Sequence, residues 1–178
     1  MDHKYDIIKG NNVLIPMTRR YPKLKRKILE RDSKIAKKII KTWDNDHNSK
    51  EVLRIYTVEN KNLSNERYWE LLRTVWIVCG GNEYNELFRI FMRSNRKERH
   101  YFSTPEEHEK FSSFPDIIHI YRATNDPDDN GLSWTISKEY AELYKKDYNK
   151  KVIIHKTISK DQIFAYIERN NEYEIILL

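Results

Sequence analysis

Five residues in the last third of the chain combine types and spacings that chemistry uses. Arg122 ends the apolar run Ile117–Arg122, where a guanidinium can make a two-pronged pair with a phosphate or a carboxylate. Ser133 and Thr135 alternate with Leu132, Trp134 and Ile136, so on a strand both hydroxyls point to one face. Glu172 and Glu174 stand two apart in a terminal strand pattern and are expected to face the same way. Two carboxylates on one strand face repel each other. They require cations nearby, open solvent, or a site that binds a cationic group or stabilises a developing positive charge. Each residue also has an ordinary reading. Arg122 can pair with an acid across the sheet, Ser133 can be a strand-end hydroxyl, and the glutamates can form a charged edge that blunts strand pairing.

The elements that must position these residues fall into two textures. Before Pro115 the apolar spacing is helical. Ser64 reads as an N-cap, followed by Tyr68, Leu71, Leu72, Val75, Trp76 and Cys79 on one stripe. Gly80-Gly81 closes that helix, with glycine favoured at the left-handed C-cap position. Cys79 lies on the stripe and reads as a buried core thiol, not a nucleophile. Tyr84, Leu87, Phe88, Phe91 and Met92 repeat the pattern, and Thr104-Pro105-Glu106-Glu107 opens a further helix. The stretch holding Leu53, Ile55, Tyr56 and Val58 fits a strand or a helical turn, and the pattern does not decide. After Pro115, Ile117–Arg122 and Leu132–Ile136 read as strands flanking the turn Asn125–Gly131. Ser137 caps a short helix with Ala141 and Tyr144, and Val152–Ile158, Ile163–Tyr166 and Tyr173–Leu177 supply three more strands. The expectation is an α+β fold with a helical N-terminal half, 1–103, packed on a C-terminal sheet core, 104–178, as one compact unit.

Composition narrows the function classes. The chain has 178 residues, 39% hydrophobic and 34% charged, enough for a packed core. No apolar run approaches the roughly 18 residues of a membrane span, and the first residues lack the features of a secretory signal. With one cysteine there is no internal disulfide framework and no multi-cysteine zinc site. The six histidines stand at no metal-ligand spacing, so no metal is expected. Four glycines leave no phosphate-cradling loop, and no nucleophile-elbow motif is present. These features point to a cytoplasmic protein without a membrane partner.

The charge is uneven. The net charge is +6, yet Arg19–Lys41 alone holds eleven Lys/Arg against Glu30 and Asp32. Within it Ile28, Leu29, Ile35, Ala36, Ile39, Ile40 and Trp43 share one helical face, and Lys34, Lys37, Lys38 and Lys41 project from the other. Such a helix is either an ordinary amphipathic helix with a solvated back or a docking element for nucleic acid or another acidic partner.

The ordered set Phe114-Pro115, Tyr121-Arg122, Gly131-Leu132-Ser133-Trp134-Thr135, Ala141 and Glu172–Glu174 resembles the Arg–Ser–Glu branch of the ADP-ribosyltransferase superfamily. The closer likeness is to bacterial and phage members. Ala123 departs from the glycine usual after Tyr-Arg, and Leu143-Tyr144 replaces an aromatic-rich segment. The resemblance covers about 104–178 and implies an ADP-ribosyltransferase-like split β-sheet core with NAD as substrate and no metal. It implies that Arg122 holds the pyrophosphate, that Ser133 orients Glu174, and that Glu174 stabilises the oxocarbenium-like state. Glu172 then meets the acceptor, a protein arginine or a nucleic acid, across the loop Tyr166–Asn171. Tyr121, Trp134, Thr135, Tyr140 and Tyr144 complete the NAD contacts. The biological setting implied is a phage effector, or a toxin of a defence or toxin–antitoxin system with an antitoxin partner. The competing expectation is an interaction module, binding nucleic acid or protein, with a vestigial NAD site.

Overall fold

A computed structural model describes residues 6–8, 13–15, 26–80, 82–169 and 171–178. His3, Arg19–Lys25, Gly81 and Asn170, which figure in the expectations above, lie outside them. The chain is α+β, and its contacts divide it into two units, Met1–Phe102 and Ser103–Leu178.

The first unit is mostly helical. A short antiparallel pair, β1 (Asp6–Ile8) and β2 (Val13–Ile15), precedes α1 (Arg26–Asp46), α2 (Ser49–Glu59), α3 (Asn65–Cys79) and α4 (Asn85–Met92). The undecided stretch around Leu53–Val58 is helical, because Val52, Leu53, Ile55 and Tyr56 recur at helical spacing and are all buried. The Asn48 side chain accepts from the Glu51 N–H at 3.0 Å and starts this helix. Two tyrosine hydroxyls tie the helices together, Tyr56 donating to the Tyr68 carbonyl at 3.1 Å and Tyr68 to the Phe91 carbonyl at 2.9 Å. Ser64 caps α3 as expected, accepting from the Arg67 N–H. Gly80 does end α3, but not in the left-handed conformation, since its φ is −54°. A Cβ there would lie 2.7 Å from the Trp76 carbonyl oxygen, so close approach is what demands glycine. Cys79 is buried and donates to the Ser49 carbonyl. Burial pushes its thiol up to about 12, in keeping with a core role.

The second unit starts with α5 (Pro105–Ser112). Five strands follow, β3 (Ile117–Thr124), β4 (Ser133–Thr135), β5 (Val152–Ser159), β6 (Ile163–Ile167) and β7 (Glu174–Leu177), with α6 (Lys138–Asp147) between β4 and β5. They form one antiparallel sheet in the order β5-β3-β4-β7-β6. The three strands carrying Arg122, Ser133 and Glu174 are therefore consecutive. β3 and β4 share only the pair Tyr121↔Thr135, whereas β3 and β5 pair along eight residues. One face is built on Ile118, Ile120, Trp134, Ile158, Tyr166 and Ile175, with Phe111 and Phe114 packed against it. This places Trp134 in the core, on the face opposite Ser133 and Thr135. Its expected role in NAD binding is corrected accordingly, because a bulky indole at the middle of an alternating strand fills the apolar side.

The capping box of α5 reaches beyond the helix. Glu107 Oε2 accepts from the Thr104 N–H at 2.8 Å, while Glu107 Oε1 accepts from the Glu168 N–H at 3.0 Å. One buried carboxylate thus fixes both the helix start and the loop that leads toward Glu172. Thr104→Ala should cost about 1 kcal/mol of folding stability, and Glu107→Ala about 2 kcal/mol because it strands the Glu168 N–H as well. Urea unfolding followed by circular dichroism checks this order, and equal losses would remove the loop from the explanation.

Candidate functional site

Arg122 sits where β3 leaves β4. Its Nε donates to Asp129 Oδ2 at 2.9 Å and its Nη1 to the Ser133 carbonyl at 2.6 Å. Asp129 also accepts from the Thr124 hydroxyl at 2.8 Å and from the Gly131 N–H at 2.7 Å. Burial by itself raises the Asp129 carboxyl, but the Thr124 hydrogen bond and the Arg122 charge outweigh it and hold the group below its ordinary range. The guanidinium lies against Gly131 so closely that a Cβ there would fall 2.2 Å from Nη2. Arg122 thus pairs with an acid in the turn after β3, not with one across the sheet, and also supplies a hydrogen bond to β4 beyond the single backbone pair. Asp129, in a turn otherwise read only for its bend, is the partner that spacing did not identify.

Ser133 and Thr135 both engage the end of the chain. Ser133 Oγ donates to Glu174 Oε1 at 2.5 Å, and Thr135 Oγ1 donates to the Glu172 carbonyl at 2.6 Å. Register places Thr135 opposite Glu174 on one side and opposite Tyr121 on the other. Glu174 is buried at the start of β7.

Glu172 differs from the strand expectation. It precedes β7 in a turn where Asn171 and Tyr173 adopt φ of 61° and 46°. Strand alternation therefore does not make the two carboxylates face one way. A guanidinium brings them together instead. Arg169 Nε lies 2.9 Å from Glu172 Oε2, and its Nη2 lies 3.8 Å from Glu174 Oε2. The Glu172 N–H closes the turn on the Arg169 carbonyl at 2.7 Å. Arg169 is the cation that the repulsion argument required, three residues before Glu172 on the turn. Burial raises the Glu172 carboxyl and the Glu174 charge raises it further, to about 7, although Arg169 and the Tyr140 hydroxyl oppose the shift.

The α6 tyrosines stand beside this group. Ser137 caps α6 by accepting from the Tyr140 N–H at 3.0 Å. Tyr140 and Tyr144 are 6.3 Å apart between ring centroids, and Tyr144 stacks on Tyr148 at 4.3 Å. Burial pushes the Tyr140 hydroxyl up to about 12, and the Glu172 charge adds to it. Tyr144 is raised mainly by burial, with Tyr148 and the Glu172 charge adding to the shift and the Arg122 charge opposing it. Tyr121 stacks on His155 at 4.9 Å and 12°. Cross-strand pairing also brings His155 Nε2 within 3.2 Å of His119 Nδ1, although they lie 36 residues apart. Among the described residues no group of three or more His, Cys, Asp or Glu side chains is arranged to hold a metal, and no described helix is long and apolar enough to cross a membrane. Lys34, Lys37, Lys38 and Lys41 are exposed along α1 in the other unit.

No protein-family model, curated protein or solved structure matches the chain.

Two predictions follow from the geometry. Gly131→Ala should destabilise the fold by about 2 kcal/mol by driving the Arg122 guanidinium off Asp129, visible as a lower urea midpoint. An unchanged midpoint would break the argument for close approach. The second concerns pH. The folded Glu172 carboxyl titrates above its ordinary 4.5, so between 4.5 and about 7 the folded state binds more protons than the unfolded chain. Its contribution therefore weakens folding as pH rises through that window, by about 3 kcal/mol at most. Glu172→Gln should gain stability relative to wild type as pH goes from 5 to 8, whereas parallel pH curves for the two would contradict it.

Proposed function

We propose that the C-terminal unit is an ADP-ribosyltransferase-like core that cleaves NAD and transfers ADP-ribose to a cytosolic macromolecule. The observation that carries the reading is the Ser133–Glu174 hydrogen bond at 2.5 Å, made between β4 and β7, which follow the Arg122 strand β3 consecutively in the sheet. Glu174 accepts from a neutral hydroxyl, with the Arg169 guanidinium 3.8 Å from its other oxygen, and is suited to face positive charge developing at the ribose C1′ as the bond to nicotinamide breaks. Nicotinamide leaves with the bonding pair, an acceptor nucleophile forms the new bond to C1′, and its proton passes to Glu172. A base titrating near 7 is matched to that task at neutral pH. Arg122 acts in this reading first as a positioning residue, fixing the Ser133 carbonyl, with the pyrophosphate on the same side of its guanidinium network. Tyr140 and Tyr144 supply aromatic surface on α6, with the Tyr140 hydroxyl on Glu172. The acceptor is a protein arginine or a nucleic acid, and the setting a phage effector or a toxin of a defence system.

The test is incubation with tagged NAD and bacterial lysate, with protein and nucleic-acid fractions separated and nicotinamide release followed. Glu174→Gln should lower both labelling and nicotinamide release by at least about 100-fold. Glu172→Gln should lower labelling while some release persists, and wild-type labelling should rise as pH passes about 7. Labelling unaffected by Glu174→Gln sinks the proposal. Absence of both NAD binding and nicotinamide release instead leaves an interaction module with a vestigial site, a reading favoured by the use of Arg122 donors on Asp129 and Ser133.

A further inference from the structure

Helix α1 carries its charge against its own electrostatic interest. A helix N-terminus favours acids and a C-terminus favours bases. Here the first turn has no acid and holds Arg26 and Lys27, while the last turn has no base and ends on Asp44 and Asp46. The cations of the first turn therefore gain nothing from the helix dipole, and basic side chains continue along the helix.

Their arrangement is regular. Lys27, Arg31, Lys34, Lys38 and Lys41 recur at intervals of four and three residues, so they form one row, with Lys37 beside it. All six are exposed. At 1.5 Å per residue the row runs about 21 Å. Arg31 and Lys38 are partly engaged, at 3.1 Å to Asp32 and 3.6 Å to Glu59. Lys27, Lys34, Lys37 and Lys41 have no ion pair among the described residues. Ile35, Ala36, Ile39 and Trp43 on the opposite side are buried.

From this row we infer that α1 is a docking face for the phosphate backbone of a nucleic-acid duplex. The burial of the apolar side excludes the insertion by which amphipathic helices hold a membrane surface. The exposed positions are all charged or polar, with no aromatic anchor of the kind that dominates protein interfaces. The same lack of aromatics removes the stacking platform that unpaired bases use. A duplex keeps its bases stacked inside and presents phosphates outside, at about one charge per 1.7 Å of axis. It is the polyanion this row complements. The inference is independent of the NAD reading, because it concerns a different unit and needs no turnover.

The experiment is fluorescence anisotropy of the full chain with a short labelled DNA duplex over a salt series. A matching single strand and vesicles of phosphatidylserine and phosphatidylcholine serve as competitors. Four unpaired lysines predict a log–log slope of affinity against salt near −3.5. Lys34→Gln combined with Lys41→Gln should reduce the slope by about 2 and weaken binding about tenfold or more at low salt. Both changes lie on exposed positions, and an unchanged helical spectrum shows that the fold is kept. The inference is overturned if the double variant leaves slope and affinity unaltered, if the duplex does not bind, or if the single strand or the vesicles compete better than unlabelled duplex.

Discussion

Between β3 and β4 the backbone pairing of the sheet falls to one residue pair, and the Arg122 guanidinium carries part of what is missing. It reaches the Ser133 carbonyl with one nitrogen and the Asp129 carboxylate with another. Asp129 in turn collects the Thr124 hydroxyl and the Gly131 N–H, so the turn between the strands is pinned to the same centre. A charged group at 11% exposure is costly unless both charge and donors are satisfied. Here the satisfaction is shared among a side-chain anion and a main-chain oxygen. Loosening this contact releases the strand that carries Ser133, and with it the partner of Glu174.

The second dependency runs from Ser133 to the carboxylates. Glu174 accepts from a hydroxyl and lies 3.8 Å from Arg169, whereas Glu172 pairs with Arg169 at 2.9 Å, so the two acids share a guanidinium but differ in their nearest partner, and the Glu174 charge raises Glu172. That difference matters more than their proximity. A carboxylate hydrogen-bonded by a neutral donor keeps its negative field for whatever lies opposite it. One poised near neutrality exchanges protons there. The loop bearing Arg169 and Glu172 is fixed from behind through Glu107 on α5, and Lys110 lies 2.7 Å from Glu168 on the same loop. The site is thus held from the sheet on one side and from a helix cap on the other.

Much of this was legible in the residues, and the parts that were not share a physical cause. Ser133 and Thr135 facing one way follows from period-two alternation, the caps at Ser64, Thr104 and Ser137 from their hydroxyls before helical runs, and the buried Cys79 from its stripe. Asp129 and Arg169 were missed because both act from turns, where spacing carries no face information. Glu172 reads as strand for the same reason, since nothing local marks Tyr173 as left-handed. The helix at Ser49–Glu59 resisted because Ile, Tyr, Thr and Val suit either state alone, and only packing through Tyr56 decides it. The meeting of His119 and His155 needed the register of β3 and β5, a long-range property.

The three-residue strand β4 shows how little chain can serve two faces at once. Trp134 fills the apolar side, its indole N–H bonded to the Gly131 carbonyl at 2.7 Å and the Lys156 ammonium 4.6 Å above its ring. That anchor holds the strand in register, so Ser133 and Thr135 stay on the face that meets Glu174 and the Glu172 carbonyl. A smaller residue at 134 would leave the hydroxyls in place on paper but free the strand to slip, and a one-residue slip exchanges the two faces completely. The bulky tryptophan is therefore part of the site without lining it. Its volume on one side sets the position of two oxygens on the other.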